Sequence, residues 1–161
     1  MDKNKLEFIL WNFFTKIVVI IGIKRIPILA NILSFIFFYI IPIRKSVVIE
    51  NLKKAFPNKS SKEIQRIAYK NFLSVGITFM EIMAFQKMSK SQILDMVEVD
   101  SLNIIDQFIS ENRGVILLTA HFANWELGAL AMGLLIGKPI NVLDKKQRNR
   151  LVAEWMTSVR E

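Results

Sequence analysis

Residues 26 to 43, IPILANILSFIFFYIIPI, carry no charged side chain. They follow another apolar run, LEFILWNFFTKIVVIIGI at 6 to 23, whose only charges are Glu7 and Lys16. No other feature limits the fold so strongly. Both runs need a protein core or lipid around them, because apolar surface left in water costs about 25 cal/mol per Å². A membrane-crossing helix takes about 20 apolar residues, so each run stands at the border of the required length. Lys24 and Arg25 precede the second run, and Arg44 and Lys45 close it. With basic residues at both ends, the positive-inside rule assigns no orientation. The symmetry favours a hairpin dipping into one leaflet, or helices lying at the interface with Lys and Arg at headgroup level. A buried helical pair in a soluble core meets the same length test. A cleaved signal peptide is not expected, because the apolar stretch is too long and no small-residue cleavage site follows it. Residues 1–45 are therefore read as a membrane-associated helical anchor, with Trp11 as an interfacial residue.

Charge points the same way. The chain has 161 residues and a formal net charge of +8, which implies an anionic partner. An anionic membrane surface is the economical choice beside such an N-terminus. Nucleic acid is not expected, since no zinc-finger, RNP-like or helix-turn-helix pattern accompanies the charge. The absence of cysteine excludes a disulfide scaffold, a thiolate zinc site and a cysteine nucleophile.

After Pro57, Ser60 and Glu63 form a capping-box start. Ile64, Ile67, Ala68, Phe72, Val75, Phe79, Ile82 and Met83 then recur at helical spacing, which predicts one long amphipathic helix over 61–87. MVEV at 96–99 reads as a short strand, and Asp100 or Ser101 as the cap of a helix running through Ser110. VILLTA at 115–120 follows Arg113-Gly114 and is apolar on both faces, as a buried parallel strand reads. NWELGALAMGLL, from Asn124, is helical in pattern and ends at Gly137, Lys138 and Pro139. INVL at 140–143 is a candidate second strand. The series is a βαβ unit, and the expected fold class is α/β: a helical hydrophobic N-terminus, then the first part of a mixed sheet flanked by helices over residues 46–161.

His121, the one histidine, falls in the loop at the carboxyl end of the first of these strands, where open α/β sheets place their ligand crevice. Glu126 lies five residues on, in the first turn of the next helix. A carboxylate on one imidazole nitrogen fixes the tautomer and leaves the other nitrogen to accept a proton from a substrate hydroxyl. The helix amino end adds free N–H groups and partial positive charge. A lone histidine can equally be a satisfied core residue. A serine triad is not indicated, because no G-x-S-x-G elbow exists and no serine adjoins His121. One His and one Glu are too few ligands for a metal, and no metal or cofactor is expected.

HFANWE at 121–126 resembles the H-x-x-x-x-[DE] signature of glycerolipid-type acyltransferases, and more closely the HxxNWE block of the lipid A biosynthesis acyltransferases, the lauroyl and myristoyl transferases. RKSVVIENLKKAFP at 44–57 is similar to that family's arginine, N-L and F-P segment. RGVILLTAHF and NRLVAEWMTSVR resemble it further, so the likeness runs from about residue 8 onward. It implies a glycerolipid-acyltransferase-like fold and transfer of a fatty acyl chain from acyl-carrier protein, or acyl-CoA, to a hydroxyl of a membrane glycolipid such as a lipid A precursor. The setting would be the cytoplasmic face of a bacterial inner membrane. His121 would be the base and Glu126 its orienting partner. Asn124 would fix the loop, and Arg160 and Asn149, at positions resembling the family's arginine and asparagine, would contact phosphate or acyl donor. Trp125 reads as packing beside the dyad. Lys145, Lys146, Arg148 and Arg150 read either as a solvated helix entry or as a phosphate clamp.

Members of the family run to nearly twice this length, whereas this chain stops at Arg160-Glu161, inside an expected helix. The rest would supply further strands and part of the acceptor pocket, and without it the sheet has an open edge. The alternatives are therefore a truncated, inactive remnant, a subunit completed by a partner chain, or an acyltransferase for another lipid acceptor.

Overall fold

A computed structural model of the chain describes residues 2–100, 102–143 and 147–160. The expectations at Ser101, Lys145 and Lys146 lie outside the described residues. The chain forms two compact units, residues 12–84 on the one hand and residues 1–11 with 85–161 on the other. The division falls within helix α1 (Lys3–Ile21), between Trp11 and Asn12.

In the unit of residues 12–84, Gly22 ends α1 at φ 79°, a left-handed conformation that glycine adopts without a Cβ clash. A single 3₁₀ turn (Ile23–Arg25), α2 (Ile26–Phe35) and a π-helical turn (Ile36–Ile40) follow without a break. Together they make the stretch Ile23–Ile40, 18 residues long and apolar enough to cross a membrane by length and composition. Pro27 in its first turn costs little, because those N–H groups have no intrahelical acceptor. Arg44, at φ 56°, turns the chain into α3 (Lys45–Ala55).

The expected long helix is present as α4 (Ser61–Phe85). Its capping box closes in both directions: the Ser60 backbone N–H and Oγ donate to Glu63 Oε2 at 2.9 and 2.8 Å, and Glu63 N–H donates to Ser60 Oγ at 3.3 Å. Gly76 brings α4 close to α2, since a Cβ there would lie 3.4 Å from Ser34 Oγ and 3.7 Å from Ala30 Cβ. Phe38 is fully buried and meets Tyr39, Tyr69 and Phe72 edge to face at 4.8, 5.5 and 5.2 Å. Lys45 Nζ rides 4.0 Å above the Phe38 ring. Tyr69 donates its hydroxyl to Asn31 Oδ1 at 2.7 Å.

The second unit holds α5 (Lys90–Leu94), α6 (Leu102–Ser110), α7 (Trp125–Ile136) and α8 (Arg150–Arg160). A capping box that the sequence reading passed over starts α5, with Ser89 and Gln92 bonded reciprocally at 2.8 and 3.2 Å. Gly137, at φ 66°, closes α7 where the Gly-Lys-Pro stop was expected. Ile93, Leu127, Ala131 and Trp155 are buried.

The expected α/β fold is corrected here: the described residues form helices and no strand. Among the described residues MVEV, VILLTA and INVL form no strand ladder, and the Met96 and Val97 N–H groups instead close turns onto Ile93 O and Leu94 O at 3.2 and 3.1 Å. Ile116 and Leu118 are 88% and 95% exposed, where burial on both faces was expected. A strand has no intrinsic stability, because its N–H and C=O groups need a neighbour to bond. Apolar composition marks a segment as able to enter a sheet, and without a partner ladder it remains irregular.

Candidate functional site

The HFANWE block lies at the start of α7. Ala123 takes a left-handed conformation at φ 40°, unusual for a residue with a Cβ. Asn124 follows as N-cap, its Oδ1 accepting from Leu127 N–H at 3.0 Å. This satisfies a backbone donor that has no acceptor within the helix.

His121 is exposed, and its ring lies 4.6 Å from that of Trp125, tilted by 41°. Trp125 is half-buried beside it, as a packing residue would be. Glu126 stands in the first turn of α7 with only 14% of its side chain exposed. Arg160, the last described residue of α8, clamps it with two bonds: Nε to Oε2 at 2.9 Å and Nη2 to Oε1 at 2.6 Å. A fork of this kind combines charge with fixed geometry. No hydrogen bond joins Glu126 to His121 among the described residues. Arg160 uses one site on each oxygen, however, and a carboxylate offers about four.

Asn149 is 8% exposed at the head of α8. Its Nδ2 donates to Asn4 O at 2.9 Å and to Glu7 Oε2 at 3.2 Å, while its Oδ1 accepts from Leu151 N–H at 3.1 Å. Trp155 packs edge to face on Trp11 at 5.2 Å in the same region. Asn149 thus binds the protein's own N-terminal helix. No local signal announces these partners, because 142 and 145 residues separate Asn149 from Glu7 and Asn4. Of the basic cluster, Arg148 is exposed and Arg150 pairs with Glu154 at 2.7 Å. That bond raises the guanidinium pKa above its ordinary value. Among the described residues, no three His, Asp or Glu side chains stand together as a metal site.

The sequence pattern of the bacterial lipid A biosynthesis acyltransferases matches residues 4–161. The chain belongs to that family. It is 29% identical over 113 residues to the lipid A biosynthesis palmitoleoyltransferase of Escherichia coli K12, covering 70% of this chain and 36% of the relative. To the lauroyltransferase of the same organism it is 33% identical over 91 residues, 56% of this chain and 30% of the relative. A lipid A biosynthesis acyltransferase of Haemophilus influenzae is 30% identical over 91 residues, 56% of this chain and 29% of that protein. The chain therefore matches about a third of the length of these curated relatives. No solved structure matches it at a significant level.

Proposed function

We propose that the chain acts in acyl transfer to a hydroxyl of a membrane glycolipid of the lipid A precursor class, with acyl-carrier protein as donor. The observation that carries this reading is the HFANWE block at a capped helix start, within a family match over residues 4–161. His121 removes the proton of the acceptor hydroxyl as its oxygen attacks the thioester carbonyl carbon. The tetrahedral intermediate then collapses, the C–S bond breaks, and the carrier thiolate takes the proton back from the imidazolium. The partial positive charge at the amino end of α7 favours the developing oxyanion. Glu126 stands at the same helix end, in support of the imidazolium. Residues 1–45 hold the enzyme at the cytoplasmic face of a bacterial inner membrane, where Leu10, Phe13, Ile20, Ile28 and Phe35 present exposed apolar side chains to lipid. The surplus of basic residues suits both anionic headgroups and an acidic carrier.

The test is an assay of the purified chain in lipid-detergent micelles, with an acyl-carrier-protein thioester and a lipid A precursor, read by mass spectrometry. A product heavier by one acyl group, lost in His121→Ala, is the expected result. Equal yield from that variant would remove His121 from the mechanism. Product formed only with a different lipid acceptor, or only with a second chain added, would reassign the acceptor or make the chain a subunit.

A further inference from the structure

We infer that Asn149 is a positioning residue: by pinning the N-terminal turns of α1 to the head of α8, it holds Arg160, at the far end of α8, against Glu126. The inference rests on the acyl-transfer reading for its activity arm, and on geometry alone for the rest.

The carboxamide of Asn149 makes three hydrogen bonds. Both of its donor bonds go to α1, at Asn4 O and Glu7 Oε2, and its acceptor bond goes to Leu151 N–H in the first turn of α8. One side chain therefore caps one helix and tethers another. The Trp11–Trp155 contact, 5.2 Å between ring centroids, lies one turn past Glu7 on α1 and between one and two turns past Asn149 on α8, and it fixes the rotation of α8 about its axis. From Asn149 to Arg160 the chain is helical, and a helix transmits a tilt along its length. At about 1.5 Å rise per residue the lever is about 16 Å, so a tilt of about 10° moves its far end by about 3 Å. A displacement of that size breaks a fork whose bonds are 2.6 and 2.9 Å long. Glu126 would then lose the partner that fixes its rotamer, next in sequence to Trp125, whose ring lies 4.6 Å from that of His121.

The polarity of the tether makes it testable. In Asn149→Asp the carboxylate still accepts from Leu151 N–H, so α8 keeps its cap, but the side chain has no donors for α1 and faces Glu7. In the double variant Glu7→Gln/Asn149→Asp the bond is restored in reverse, with the glutamine amide donating to the aspartate. The assay uses the full chain in the lipid-detergent micelles described above. Two further readouts are the near-ultraviolet circular dichroism of the tryptophan pair and the ring resonances of the one histidine.

Asn149→Asp should lower kcat about 10-fold, with KM within about twofold. It should also weaken the tryptophan signal and shift the His121 resonances, while far-ultraviolet helicity is kept. The Glu7→Gln variant of that chain should recover most of kcat and both spectroscopic signals. In an Arg160→Ala background, Asn149→Asp should add no further loss, because both changes remove the same contact. Unchanged histidine resonances in Asn149→Asp, with a clear shift in Arg160→Ala, would overturn the inference. So would full additivity of the two changes. A wild-type chain with no acyl transfer would sink the functional reading instead, and the spectroscopic arms would still decide the role of Asn149.

Discussion

Glu126 shows how one side chain's burial sets its choice of partner. Near the protein surface, with 14% of its side chain exposed, it takes the fork of Arg160, and the bidentate geometry offsets part of the desolvation of both charges. Replacing Arg160 by Ala leaves that carboxylate unpaired. The expected loss is about 1.5–3 kcal/mol in unfolding free energy, measured by denaturant titration in micelles. Arg160→Lys keeps the charge but not the fork, and should recover less than half of the loss. His121 is exposed and its replacement by Ala should leave stability within about 0.5 kcal/mol of wild type while product formation ceases. That contrast separates the residue proposed for the chemistry from the residue that holds the site together.

At the scale of single elements, the start of α4 is the most strongly specified junction. Ser60 donates to Glu63 from backbone and side chain, and with Lys59 nearby this lowers the Glu63 carboxyl pKa below its ordinary value. A depressed folded pKa means that the box adds stability above the unfolded carboxyl value and loses it as pH falls through the folded one. Helicity followed by circular dichroism from pH 7 into the acid range should therefore decline less in Glu63→Gln than in wild type. Ser60→Ala removes the cap and should cost about 1 kcal/mol at neutral pH. At the other end of a helix, Gly137 holds φ 66°. Gly137→Ala should destabilise the chain by about 1 kcal/mol, because a Cβ is strained in that region whatever the surrounding space.

At the scale of the whole molecule, the stretch Ile23–Ile40 exposes large apolar side chains, among them Ile28, Ile32, Phe35 and Tyr39. Ile32 and Phe35 are about half exposed on that stretch. Ile32→Asp/Phe35→Asp should shift the protein from the membrane to the soluble fraction, since each charge placed in lipid costs about 2.5–3.5 kcal/mol. Unchanged partition in a sedimentation assay would remove this stretch from the membrane contact. Helices were legible in the residues because their signals are local. Ser60 with Glu63, Asn124 before Trp125, and Gly137 before Lys138 each act within one turn, and backbone bonds inside a helix need no outside partner. The block His121 to Glu126 was legible for the same reason. That the described residues form no sheet was not legible, because VILLTA is as apolar in a ladder as it is in solvent, and only a neighbouring strand decides between the two. The partners of Asn149 and Arg160 were equally hidden. With 22 basic and 14 acidic residues, charge alone cannot select Glu126 for Arg160, nor Asn4 and Glu7 for Asn149. By itself the sequence determined where helices start and stop and where the HFANWE block falls, through interactions a few residues long. Tertiary structure alone decided which distant side chains meet, because those pairings depend on how α1, α7 and α8 pack rather than on any spacing along the chain.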